Sequence, residues 1–327
     1  MTHAWKTSAA ALAVGVLALS ACSAGNNEHR GEGGAQSTEI AFVNASPADE
    51  FSISLECAAR DAVAAHPGMS LNYQASRNWD ATEQKSVLDA ALAANPGALL
   101  VVPTDSTALQ KPLQDAAKSG VKVVLLDTSV DDPSFASSAI ATDNVAAGAT
   151  ALDAIKQRHP GGKVLTISVA PGITSTGDRE KGFADAIGKD PNFQYLGVQY
   201  DPGMTITKAA QIVAAALQKD PDIVGIFATN NAQTEGVVAG IKQVGRQGQV
   251  TVVGFDPTPA TAKLVENGSV DALVAQQPST IGQTGIEQAL AAMEGKQTEP
   301  KIGTGTFLIT KDNIDGEGAK YIYKTKC

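Results

Sequence analysis

The sequence predicts an α/β protein of two doubly wound parallel-sheet lobes, each sheet covered by helices on both faces. Three observations carry this. From Thr38 onward, short apolar runs alternate with ten- to fifteen-residue segments of helical spacing, the pattern of parallel strands buried on both sides. About ten such runs exceed one comfortable sheet, so a chain of 327 residues divides its core in two. Four polar residues, Asp127, Asn230, Asp256 and Gln276, each directly follow an apolar run, which is where open α/β sheets place ligands.

Composition agrees with a packed fold. Hydrophobic residues make up 43% and charged residues 18%, which supports a real core and excludes wholesale disorder. The formal charge is -9, and that balance argues against nucleic acid, whose phosphates need clustered Lys and Arg. Aromatic residues are only 5%, so few rings are free to stack on a ligand.

Residues 1–21 read as an export signal. Lys6 supplies the positive charge, and Ala9 to Leu19 is an apolar run too short for a comfortable membrane span. Leu19-Ser20-Ala21-Cys22 resembles a bacterial lipobox. Cys22 is therefore expected to carry lipid and to become the new N-terminus, anchoring the protein outside the cell membrane. Residues 22–37, rich in Gly, Asn and Ser, read as a flexible tether. The remaining cysteines, Cys57 and Cys327, are expected to pair, because an exported chain meets an oxidising compartment. That bridge would tie the last residue to the first predicted helix.

The elements follow in order. Ile40–Val43 is a strand, and Phe51–His66 a helix with Phe51, Leu55, Ala58, Ala59 and Ala62 on one face. Leu71–Gln74 is a strand; the helix Ala81–Ala94 stops at Asn95-Pro96-Gly97. Ala98–Val102 is a strand, Thr107–Lys118 a helix closed by Gly120, and Val121–Leu126 and Ala139–Ala141 are strands. Helices over 144–158, 176–187, 205–217, 233–244, 258–266 and 281–293 then alternate with strands over 163–169, 195–199, 223–228, 250–255 and 272–275, and a last strand covers 306–309.

Catalytic signatures are missing. No GxSxG, HExxH, P-loop or strand-following GxGxxG occurs, no CxxC is present, and only four His exist. No cofactor or metal site is expected. An extracytoplasmic enzyme on the same fold is the weaker alternative, since pocket carboxylates can do acid–base work. A sugar-responsive repressor would need a DNA-binding helical module where the signal and lipobox stand.

A family resemblance adds to this. From about Glu39 to Ile309 the chain resembles the ribose-binding branch of periplasmic sugar-binding proteins. It does so through Ile40-Ala41-Phe42-Val43, Pro103-Thr104-Asp105-Ser106, Val124-Leu125-Leu126-Asp127, Ile140-Ala141-Thr142-Asp143-Asn144, Arg179-Glu180-Lys181-Gly182-Phe183, Phe227-Ala228-Thr229-Asn230, Val252-Val253-Gly254-Phe255-Asp256 and Ala275-Gln276-Gln277-Pro278. The resemblance implies a type I periplasmic-binding-protein fold with a three-strand hinge. It implies one lobe of residues 38–142 and 277–305, another of residues 143–276 and 306–327, and hinges near 141–143, 276–278 and 303–306. Asp127, Arg179, Asn230, Asp256 and Gln276 would then hydrogen-bond ligand hydroxyls, and Phe51 would pack on a sugar face.

The departures from the family pattern shape the expected ligand. Ser52 and Met204 stand where the family has phenylalanines, Thr128 where it has arginine, and Asp49 where it often has asparagine; Trp79 either refills the space or packs against a helix. These departures predict a sugar other than ribose, or a polyol. The implied partners are that small molecule, the permease subunits of an ABC importer, and the membrane through a lipid anchor. A monomer is expected. A binding protein that signals to a membrane receptor is the alternative the residues leave open.

Overall fold

The computed structural model describes residues 37–327, which form one compact unit; the signal and lipidation readings, Cys22 included, lie outside the described residues. Among the described residues, twelve strands build two six-stranded sheets. The first contains β1 (Glu39–Asn44), β2 (Ser70–Ala75), β3 (Ala98–Val101), β4 (Lys122–Leu126), β5 (Ser138–Thr142) and β11 (Lys301–Thr304), in the order β2-β1-β3-β4-β5-β11. The second contains β6 (Gly162–Ser168), β7 (Phe193–Tyr200), β8 (Ile223–Ala228), β9 (Thr251–Phe255), β10 (Ala272–Ala275) and β12 (Phe307–Thr310), in the order β7-β6-β8-β9-β10-β12. The same winding is thus used twice, and each order reverses beside the first strand of its sheet. Every neighbouring pair is parallel except β10 and β12.

Apolar runs are needed because each strand is buried on both faces. In β1, Ile40 and Phe42 join one core cluster while Ala41 and Val43 join the cluster across the sheet. In β9, Val252 and Val253 divide in the same way between the two cores of the second sheet. The helices α1 (Glu50–Ala64), α2 (Ala81–Leu92), α3 (Gln110–Lys118) and α9 (Pro278–Met293) go with the first sheet. The second sheet is covered by α4 (Asn144–Lys156), α5 (Thr174–Ile187), α6 (Ile206–Lys219), α7 (Asn231–Gln243) and α8 (Pro259–Glu266).

Among the shifts from the expected elements, two have a clear local cause. α3 starts at Gln110 rather than at Thr107. The Asp105 carboxylate accepts from the amides of Thr107 and Ala108 at 3.0 and 2.7 Å, and this side-chain turn competes with the first helical turn. Residues 301–304 form the edge strand β11 rather than only a hinge. Lys301 and Gly303 hide it from a strand pattern; β11 is specified instead by its β5 register and by flanking bonds such as Ser138 Oγ donating to the Glu299 carbonyl at 2.6 Å.

Candidate ligand-binding site

The carboxyl ends of both sheets converge on a cavity of about 340 Å³. It is lined by Asp49, Phe51, Ser52, Trp79 and Asp127 from the first sheet's side and by Arg179, Met204, Asn230, Asp256 and Gln276 from the second's. Of the pocket residues singled out from sequence, Thr128 alone does not line it. The Thr128 side chain is buried and donates to the Pro103 carbonyl at 2.5 Å, so it braces the neighbouring loop. Thr128, next to the cavity-lining Asp127, thus satisfies its hydroxyl locally.

The two aspartates occupy matching places. Asp127 follows β4 and Asp256 follows β9, with φ of 61° and 64°. Each turns its chain in left-handed backbone, a conformation that Asp tolerates better than most residues. The Asp127 amide donates to Ile140 O at 2.8 Å and the Asp256 amide to Val274 O at 3.2 Å, so each turn is pinned to the next strand. Their carboxylates are treated differently. Asp127 Oδ1 is buried with no hydrogen-bond partner among the described residues. Burial pushes the Asp127 carboxyl up to about 7, the charges of Asp256 and Asp49 add to this, and Arg179 opposes it. Asp256 is also pushed up by burial, but Arg179 and two hydrogen bonds pull it back. Those bonds come from Gln276 Nε2 at 2.7 Å and the Tyr323 hydroxyl at 3.0 Å, both to Oδ1.

Arg179 is 3% exposed. Its Nε donates to Asn144 Oδ1 at 2.9 Å and one terminal nitrogen to the Thr229 carbonyl at 2.7 Å. The guanidinium lies 3.7 Å above the Phe255 ring centroid, and a buried cation over a ring gains more than an exposed one. Protein groups thus hold two edges of the guanidinium. Two glycines set the α5 position from which it projects. A Cβ on Gly148 of α4 would fall on the Arg179 carbonyl oxygen, and one on Gly182 on the Val145 carbonyl oxygen.

The rest of the wall is polar at the helix starts and apolar above. Asp49 caps α1 by accepting from the Ser52 amide at 2.9 Å, and Asn230 caps α7 by accepting from Gln233 N at 3.0 Å. Gln276 Oε1 accepts from the Thr142 hydroxyl at 2.7 Å. Trp79 both lines the cavity and packs on the first core, with its indole N–H donating to Thr104 O at 2.9 Å. Sequence reading missed Asn144 and Tyr323, which hold other site residues, and Ser175 and Thr176, which line the cavity at the α5 N-terminus. Asn144 was legible only as part of the Thr142-Asp143-Asn144 stretch; nothing near Tyr323 pointed to the cavity. The two remaining cysteines are joined as Cys57–Cys327, with Cα atoms 5.2 Å apart. Among the described residues no group of three or more His, Cys, Asp or Glu is placed to hold a metal ion, and no helix is long and apolar enough to cross a membrane.

Two doubly wound lobes, with a cavity between their strand ends that sets polar groups among apolar walls, define a periplasmic-type binding protein. Residues 40–297 match the family model described as periplasmic binding protein domain, and the chain belongs to that family. It is 30% identical over 273 residues to the ribose import binding protein RbsB of Escherichia coli (strain K12), covering 83% of this chain and 90% of that protein. A solute binding protein of an ABC transporter from Agrobacterium vitis, bound with alpha-D-tagatopyranose, superposes with a TM-score of 0.84 at 33% identity, covering 88% of this chain and 99% of that one. Another from Agrobacterium radiobacter, in complex with D-arabinose, gives 0.81 at 28% identity, with coverage of 88% and 99%. The chain thus has the fold of sugar-binding ABC-transporter solute-binding proteins, and its homologues are transport proteins rather than enzymes.

Proposed function

We propose that this protein is an extracytoplasmic, lipid-anchored solute-binding protein. It captures a small sugar other than ribose, or a polyol, between two closing lobes and delivers it to an ABC importer. The observation that carries this is the convergence of Asp127, Arg179, Asn230, Asp256 and Gln276 on one cavity of about 340 Å³, a volume suited to a small ligand. Carboxylates accept from hydroxyls, a guanidinium donates to them, and amides do both. Phe51 offers a flat apolar face. Specificity away from ribose is supported by the lost rings: Ser52 and Met204 line the cavity, and a flexible thioether can follow an irregular or acyclic chain.

A thermal-shift panel of D-ribose, D-allose, D-tagatose, D-arabinose, D-fucose and myo-inositol on residues 37–327 tests the reading. A ligand at a hundred times its Kd stabilises by about 2.7 kcal/mol, so the true ligand should raise Tm clearly. Absence of any change in Tm across sugars and polyols would sink the sugar reading, and tight ribose binding would sink the specificity. Anchoring is tested separately: full-length Cys22→Ala should leave the membrane fraction or stay unprocessed.

A further inference from the structure

The last residues of the chain return to the cavity from behind. After β12 comes a short 3₁₀ turn, Glu317–Tyr321, held to the second sheet by Phe307 and Tyr321, whose rings stack with centroids 4.4 Å apart. Tyr323 then anchors on the same lobe: its amide donates to the Pro257 carbonyl at 2.9 Å. One residue later the chain is on the other lobe. The Lys324 amide donates to Ser54 Oγ of α1 at 2.8 Å, and Cys327 is bonded to Cys57 of α1. The chain backbone links the two sheets three times, after β5, after β10 and between β11 and β12. The disulfide closes a fourth link.

Tyr323 sits in that link, 4% exposed. Its hydroxyl donates to Asp256 Oδ1 at 3.0 Å and accepts from the Gln276 amide at 3.2 Å. Its ring meets the edge of Phe51, centroids 5.9 Å apart. It therefore touches three of the residues at the cavity without lining it. Both protein donors to Asp256 fall on Oδ1, which leaves Oδ2 for a ligand. Burial beside the Asp256 charge holds the Tyr323 phenol well above its usual range, so it remains a donor throughout the working pH range.

We propose that residues 321–327 form a covalently closed strap between the lobes, and that Tyr323 is a positioning residue that holds the Asp256 carboxylate and the Gln276 backbone for the ligand. This rests on the reading above that Asp256 and Gln276 contact the ligand. The strap matters because Asp256 is a buried charge. The groups facing it are Arg179, Gln276 and Tyr323, which favour the carboxylate, and Asp49, which disfavours it; Asp127 lies across the cavity and carries a like charge when ionised. Removing the phenol hydroxyl removes one of the few groups that pull the raised Asp256 carboxyl back down. Its carboxyl would take up a proton at higher pH, and a protonated carboxyl loses acceptor capacity.

The test uses the panel sugar that raises Tm most. Tyr323→Phe keeps the ring against Phe51 and the backbone hydrogen bond to the Pro257 carbonyl while deleting only the hydroxyl. Calorimetry should show Kd weakened about tenfold at pH 5, which is about 1.4 kcal/mol, with a smaller loss at pH 8. The double variant Cys57→Ser/Cys327→Ser should weaken binding in the same direction. Wild-type Kd in Tyr323→Phe, or a loss equal at both pH values, would overturn the positioning role, since a merely structural defect has no reason to follow a carboxyl titration. Hydrogen exchange gives an arm that needs no sugar. The Gln276 amide should exchange faster in both variants than in the unliganded wild type, and unchanged exchange would overturn the strap. If no panel sugar binds the wild type, the functional reading falls while the exchange arm still decides this inference.

Discussion

Asp127 and Asp256 mirror each other in position and backbone, yet only Asp256 has its carboxylate satisfied by protein. Left-handed backbone at a non-glycine residue costs of order 1–3 kcal/mol and persists where surrounding structure demands it. Here it swings each carboxylate off its strand into the cavity, which any straight continuation of β4 or β9 would not do. Asp127 Oδ1, unsatisfied by protein, suits a ligand hydroxyl as donor. Its carboxyl, raised to about 7, has a consequence for stability. An unfolded Asp titrates near 3.9. Between about pH 4 and pH 7 the folded protein therefore holds a proton that the unfolded chain has released, and stability falls as pH rises through that window. Asn also tolerates left-handed backbone, so Asp127→Asn isolates the charge. Urea unfolding of ligand-free protein should lose a few kcal/mol between pH 5 and pH 8 in the wild type, at about 1.36 kcal/mol for each pH unit below the folded titration, and clearly less in Asp127→Asn. Equal slopes would show that the carboxyl is not held neutral by burial. Arg179→Ala, by contrast, should act on binding directly. It leaves Asn144, Thr229 and the ligand hydroxyls without a charged donor, typically 1–3 kcal/mol or more. Calorimetry should record at least about a tenfold loss; unchanged affinity would remove Arg179 from the site.

Elements were legible where local chemistry and burial agree. Strands buried on both faces must be apolar throughout, so β1, β3, β4 and β9 announce themselves, and α2 ends at Leu92, two residues short of the expected Ala94 and just before Asn95-Pro96-Gly97. β11 was not legible because an edge strand needs little burial; only Thr304 of its residues is buried. The four polar strand ends could be read as a site because winding order alone sends carboxyl ends to one side of a sheet. Tyr323 and the α4–α5 contact could not, since both depend on packing between segments distant in sequence. That contact is a close approach of two helices over Gly148 and Gly182, and it sets where Arg179 projects. Gly148→Ala has good helix propensity and would stabilise an isolated helix by about 0.5–1 kcal/mol. Within this fold it must push α5 away, and overpacking costs about 1–3 kcal/mol. Denaturation should therefore show net destabilisation, and ligand affinity should fall with it because the guanidinium moves. An affinity that survives a clear loss of stability would show that Arg179 is placed by Asn144 and Phe255 rather than by the helix contact.

At the scale of the whole molecule the lobes touch across the cleft as well as through the hinge. The Ser106 amide donates to the Gly172 carbonyl at 3.0 Å, and the Ser129 amide donates to Thr174 Oγ1 at 2.8 Å. Residues 106 and 129 follow β3 and β4 of the first sheet, while 172 and 174 lie between β6 and the first turn of α5 in the second. Under the proposed function, an opening that admits a ligand would break both bonds. Both are single neutral bonds, each worth about 0.5–1.5 kcal/mol net, a strength that favours closure without locking it. If the ligand binds the closed form, as proposed, its apparent affinity falls with the fraction of molecules able to adopt that form. Thr174→Val removes the acceptor while keeping the β-branched shape at the first residue of α5, and the Thr174 hydroxyl is bonded to Ser129 rather than to any of the five polar residues proposed to hold the ligand. Small-angle scattering of unliganded protein should then give a larger radius of gyration than the wild type. Added ligand should restore the wild-type dimensions, with Kd raised about two- to tenfold, since the lost bond is worth up to about one decade. If dimensions and Kd both stay at wild-type values, the Ser129–Thr174 contact plays no part in closure, and the population of the closed form is set at the hinge and by the disulfide-closed C-terminal segment.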